Sequence, residues 1–127
     1  MLDDDKTRAI LEKKQELLRG GEACHAVRDF IAHFSNPLRL RILCELSLKS
    51  ASVSELVEAT GARQPTVSQQ LNLLRLSGIL TRTRDGNRRV YQIADPVARE
   101  MMEFIFSIAD MLVARSRGFD QPPAGAC

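Results

Sequence analysis

The stretch from Ala51 to Ile93 constrains this chain most, because two helix signals and a basic hairpin follow one another there without a gap. Ser52 and Glu55 make an S-x-x-E capping box, in which each side chain satisfies the other residue's free amide at a helix start. Val53, Leu56 and Val57 give that helix a short apolar stripe, and Gly61 is a stop signal. A second helix is expected to open with Pro65 at its first position and Gln64 as N-cap, since a fixed φ and a missing N–H suit that place. Val67, Leu71 and Leu74 fall at i, i+4 and i+7 and form one buried face. The opposite side carries Ser68, Gln69 and Asn72, with Thr66 and Gln64 near the first turn. Such hydroxyls and amides donate and accept at once, and Gln or Asn can pair bidentately with adenine. The bland reading is a solvated polar face.

The hairpin separates these readings. Ile79 to Arg84 and Arg88 to Ile93 alternate as strands, joined by Asp85-Gly86-Asn87. Arg82, Arg84, Arg88 and Arg89 stand against a single acid, Asp85. A ribbon with arginines at its tip suits phosphate contact or minor-groove insertion; an edge hairpin that carries charge to avoid aggregation is the alternative. Helix, turn, helix and basic hairpin in this order make a winged helix-turn-helix, mainly α with a small β-hairpin. Arg84, Asn87, Arg88 and Arg89 are the candidate wing contacts, and Gln64, Thr66, Ser68, Gln69 and Asn72 the candidate base readers.

At 127 residues the chain has room for one modest core. Its formal net charge of +2 would not suggest nucleic acid. The local stripe of Arg63, Arg75, Arg82, Arg84, Arg88 and Arg89 does. No apolar run approaches the ~20 residues of a membrane span, and the charged start lacks a secretory pattern, so a cytoplasmic protein with no membrane partner is expected. The three cysteines, Cys24, Cys44 and Cys127, are too far apart for a CxxC metal site and too few for a disulfide framework. No nucleophile–base pair, phosphate-cradling glycine loop or paired-acid motif is present, so no enzyme is expected.

Outside the central stretch, residues 1–21 are expected to form a helical arm, with its helix from about Lys6 to Arg19 and Gly20-Gly21 ending it. Residues 22–117 then form the DNA-binding and dimerisation domain. A helix from Glu22 to Phe34 places Val27, Phe30, Ile31 and Phe34 on one face, with His33 as a helix-end group for the dipole. Asn36 caps the next helix, which starts at Pro37 and runs to about Leu46 with Leu40, Leu43 and Cys44 on its core side. Asp95-Pro96 repeats that signal and opens a long helix to about Arg117. It carries more apolar surface than a domain this small can cover, so a partner is expected along Phe104, Ile108, Met111 and Leu112. Residues 118–127 are expected to be a disordered tail.

The ordered series Asn36-Pro37-Leu38-Arg39-Leu40-Arg41-Ile42-Leu43, Ser52-Val53-Ser54-Glu55-Leu56, Pro65 to Leu71 with Leu74, Gly78-Ile79-Leu80 and Arg84-Asp85-Gly86 resembles the ArsR/SmtB family of repressors over about residues 25–112. The resemblance implies a homodimer formed by the N- and C-terminal helices, reading a near-palindromic double-stranded operator. It also locates the sensing sites of the family's branches. The zinc-sensing branch places Asp and His ligands on the last helix, where this chain has Asp95, Glu103 and Asp110 but no histidine. The arsenic-sensing branch uses a thiol pair near the reading unit, where Ala51 to Ser54 carry no sulfur. The thiol-responsive branch has a cysteine at the place of Cys44, but its partner position here is Asp110. Cys24 is the candidate substitute partner, Cys127 a looser one, and a small buried hydrophobe the plain reading of Cys44. Cys24-His25, with or without His33, could take a soft metal only with ligands from elsewhere, so no metal or other cofactor is expected. The expectation is a DNA-binding repressor, released by a thiol-reactive signal acting on Cys44 and Cys24. The alternatives are a metal-responsive or constitutive repressor of the same fold, or a winged-helix protein-interaction module without DNA binding.

Overall fold

The computed structural model describes residues 3–120. In chain order the elements are α1 (Asp4–Leu18), α2 (Glu22–Ser35), α3 (Pro37–Leu46), β1 (Ala51–Ser52), α4 (Val53–Thr60), α5 (Gln64–Leu76), β2 (Leu80–Asp85), β3 (Arg88–Ile93) and α6 (Pro96–Asp120). Contacts group into two compact units, residues 1–40 and 41–127.

In the first unit, Asp3 caps α1 by accepting the Lys6 amide at 2.7 Å, which starts the helix two residues before Lys6. Gly20, at φ 68°, ends it in the left-handed conformation that other residues resist. No residue of α1 is buried. Phe30 and Phe34 on α2 stack with ring centroids 5.0 Å apart, and Phe34 is buried. Asn36 caps α3 as expected, its Oδ1 accepting the Arg39 amide at 2.9 Å.

The second unit holds the larger core. Leu56, Val67, Leu71, Leu74, Ile79, Leu80, Ile93, Ala98 and Met102 are each no more than 2% exposed. From α3 come Ile42, Leu43 and Leu46. Leu43 is buried as expected, but Ile42 and Leu46, one turn apart, are buried with it, whereas the expected Leu40 and Cys44 are half-buried. On α6 the buried pair is Ala98 and Met102. The helix continues through Gly118 to Asp120, beyond the expected end at Arg117. Of the expected tail, residues 118–120 are therefore helical, and 121–127, with Cys127, lie outside the described residues.

The hairpin belongs to a three-stranded antiparallel sheet in the order β1-β3-β2. Its first strand escaped the sequence reading because two residues show no alternation. Ala51 pairs with Tyr91 and Ser52 with Val90. The turn is also tighter than expected, since Asp85 pairs with Arg88 and leaves Gly86-Asn87 as a two-residue loop. Gly86 has φ 65° and Asn87 no positive φ, the pattern of a type II′ turn, which matches the twist of the flanking strands. Among the described residues no helix is long and apolar enough to cross a membrane.

Candidate nucleic-acid interface

The capping box sets the reading unit in place. Glu55 N–H donates to Ser52 Oγ at 3.3 Å, and Ser52 N–H donates to Glu55 Oε1 at 3.0 Å. Gly61, at φ 71°, ends α4. Thr60 is buried in the turn, donating to the Leu56 carbonyl at 2.7 Å and accepting the Ala62 amide at 3.3 Å. Its own carbonyl accepts from the Arg41 guanidinium. The turn between the helices is thus hydrogen-bonded from both sides, which fixes the direction in which α5 leaves it.

α5 begins at Gln64, so Pro65 is its second residue and Arg63, not Gln64, is the N-cap. Arg63 provides no side-chain cap bond. Val67, Leu71 and Leu74 are wholly buried, which turns Gln64, Thr66, Ser68, Gln69 and Asn72 outward together; all five are exposed. Asn72 Oδ1 accepts from Arg75 Nη2 at 2.9 Å, which leaves the amide nitrogen of Asn72 as its outward donor.

The hairpin divides its arginines. Cross-strand partners share a face, and Arg84 stands directly opposite Arg89. Arg82, two residues along from Arg84, lies on the same face. Like charges directly opposite each other destabilise a sheet, and the side chains of Arg82, Arg84 and Arg89 have no hydrogen bond or ion pair among the described residues. Arg88 lies on the other face, level with Val90, and its Nη2 donates to Glu55 Oε1. Asn87 is exposed at the turn, beside an open groove of about 510 Å³ lined by Ser52, Val53, Ser54, Glu55, Arg88 and Arg89. The sequence reading counted the hairpin arginines as equivalent and missed Glu55 as the partner of one of them. The Ser52–Val90 register, which aligns the two, leaves no periodic signal.

Glu55 is held below the ordinary carboxylate range, first by the Ser52 amide, then by the Ser52 hydroxyl, with Arg88 and Lys49 adding to the effect. It is fully ionised at neutral pH, and Arg88 therefore meets a permanent negative charge.

Relatives of the chain carry the same plan. The sequence profile of the bacterial regulatory protein, arsR family, matches residues 36–82. A biofilm growth-associated repressor of Xylella fastidiosa is 32% identical over 104 residues, which span 82% of this chain and 88% of the relative. The chain belongs to the ArsR family. It is a DNA-binding transcriptional regulator and not an enzyme. Among solved ArsR-type structures, the transcriptional repressor BigR from Xylella fastidiosa superposes with a TM-score of 0.65 at 30% identity, covering 76% of this chain and 93% of BigR. A homodimeric winged helix-turn-helix DNA-binding domain from Mycobacterium bovis gives a TM-score of 0.61 at 26% identity, covering 75% and 92% of the two chains.

Against the sensing sites expected for an ArsR-family member, the cysteines are placed unevenly. Cys24 lies in the first turn of α2 and Cys44 in the last turns of α3, and both are half-buried free thiols. Burial, with Glu45 beside it, pushes the Cys44 thiol up from its ordinary value, so less of it is thiolate. Asp110 is exposed on α6. Burial and then Arg39 push the His33 pKa down, against the cationic helix-end role expected, while Asp29 pushes it up; its Nδ1 has no hydrogen-bond partner among the described residues. No group of three or more His, Cys, Asp or Glu able to hold a metal is found among the described residues.

Proposed function

We propose that this ArsR-family protein is a cytoplasmic, homodimeric repressor that reads a near-palindromic operator. Gln64, Thr66, Ser68 and Gln69 of α5 read base edges in the major groove, with Asn72 assisting. Arg84 and Arg89 hold backbone phosphate or the minor groove from the wing, with Asn87 and Arg88 beside them. The observation that carries this reading is the unpaired Arg84–Arg89 juxtaposition on the same unit as an outward polar helix face. A two-fold dimer is supported by the apolar strip that α6 leaves open. Phe104, Met111 and Leu112 are 58%, 59% and 46% exposed and Ile108 is half-buried. A second copy would cover it and set two α5 helices about one DNA turn apart. No metal or other cofactor enters this reading.

The test is fluorescence anisotropy on duplex DNA from upstream of the protein's own coding region, with random duplex as the competitor. Specific binding with a steep salt dependence is expected, and two protomers per duplex. Equal, weak and salt-insensitive binding to both duplexes would instead make the fold a protein-interaction module.

A thiol-reactive release signal is the second reading, favoured by the partial exposure of Cys44 and opposed by the upward push on its pKa. A polysulfide donor that abolishes operator binding in the wild type, and not in Cys44→Ser, would establish it. Unchanged binding would make Cys44 a small apolar packing residue.

A further inference from the structure

We propose that Glu55 limits the DNA affinity of the wing, because its carboxylate competes with DNA phosphate for the guanidinium of Arg88. The proposal rests on the reading of the wing as a phosphate-binding element.

The geometry makes Glu55 a fixed competitor. Ser52 pairs with Val90 across the sheet, which brings the start of α4 alongside the strand that carries Arg88 two residues earlier. The Ser52 amide holds Glu55 Oε1 at 3.0 Å, and the same oxygen accepts from Arg88 Nη2. The capping box keeps the carboxylate in place whether Arg88 is there or not. The pair is open to solvent, with side-chain exposures of 54% for Arg88 and 41% for Glu55. Exposed pairs of this kind are weak, so an arriving phosphate can take the arginine. The groove on that side is lined by both partners and is where the phosphate would enter.

The exchange leaves a characteristic ionic signature. An arginine that moves from water to a phosphate releases a cation condensed on the DNA. Arg88 leaves Glu55 bare as it moves, and the carboxylate takes a cation back. The net release from Arg88 is therefore small, whereas Arg84 and Arg89, which have no acid partner, contribute in full.

Glu55→Gln separates the two functions of the residue, because glutamine also serves in a capping box. Expected is a several-fold tighter complex on operator and random duplex alike, with the salt slope steeper by roughly 0.9 per bound protomer. Adding Arg88→Ala should erase both changes. Weaker binding, an unchanged slope, or a gain that persists in Glu55→Gln/Arg88→Ala would overturn the proposal. Arg84→Ala/Arg89→Ala tests the underlying reading separately: if it leaves the slope unchanged, Arg84 and Arg89 do not contact phosphate and that reading fails. Should Glu55→Gln fail to fold, the wild-type protein still decides the matter. The carboxyl titration of Glu55, followed by NMR, must move up on DNA binding as Arg88 departs, and an unmoved titration would sink the idea.

Discussion

Arg84 and Arg89 face each other across the β2–β3 hairpin with no ion pair among the described residues, and Arg88, on the other face, is bonded to Glu55. Arg88 and Arg89 are adjacent in sequence and alike in chemistry, yet the pleat gives them different surroundings. On one face Arg84 and Arg89 stand directly opposite each other, with Arg82 two residues along, and the like charges repel. On the other, Arg88 already has Glu55 as a partner and Asp85 opposite it, and under the proposal binding there would be an exchange. What a basic residue contributes to DNA binding thus depends on what it must leave behind, as much as on where it arrives.

The largest test of this contrast compares the faces directly. Arg84→Ala/Arg89→Ala should flatten the salt slope by roughly 0.9 for each arginine in each bound protomer, measured by anisotropy over a potassium chloride series. Arg88→Ala alone should change it far less, and an equal effect from both would erase the distinction. Gln69→Ala probes the other half of the interface. It should remove about 1–3 kcal/mol of discrimination at one base position and leave the slope untouched. A changed slope would move Gln69 from base to backbone.

Ser52→Ala sharpens the comparison from the Glu55 side. Loss of the cap should lower stability by about 1 kcal/mol in thermal or denaturant unfolding. It should also raise the Glu55 titration midpoint more than Arg88→Ala does: the Ser52 amide, the largest cause of the depression, stays in place, but the lost hydroxyl is a larger cause than Arg88. The folded pKa of Glu55 lies below the unfolded one. The stabilisation is therefore present above the ordinary carboxylate pKa and disappears as the pH falls through the depressed folded value. The smallest expected effect is at Cys44, whose half-buried thiol should react with iodoacetamide more slowly at neutral pH in the folded protein than in denaturant. Equal rates would reopen it as a sensor.

Much of the site was legible because its signals are local. The box of Ser52 and Glu55, the stop at Gly61, and the buried line of Val67, Leu71 and Leu74 each declare themselves within one or two turns, and together they orient α5. The caps at Asn36 and Asp95 are of the same kind, with Asp95 Oδ1 accepting the Val97 amide at 3.1 Å. What escaped was everything that depends on register. β1 is two residues long, and its pairing joins segments far apart in the chain. The division of the hairpin arginines follows from which residue opposes which, and the bond between Arg88 and Glu55 follows from that pairing in turn. Rotation of a short helix is equally hard to read. On α3 a stripe centred one position away moved Cys44 from the core to its edge.

The brief strand β1 has a consequence for how such regulators can be taken apart. It runs straight into α4, and its partner β3 lies beyond the whole reading unit, so the backbone bonds from Ala51 and Ser52 close a loop that contains both helices. The outer rungs of the hairpin can assemble by themselves, because their turn is local. Attachment to the rest waits on the closing of that long loop and carries its entropic cost. The wing is consequently not an interchangeable part. A chimera that imports β2 and β3 from another regulator must keep the register that sets Ala51 against position 91 and Ser52 against position 90, or the ladder at the seam is lost.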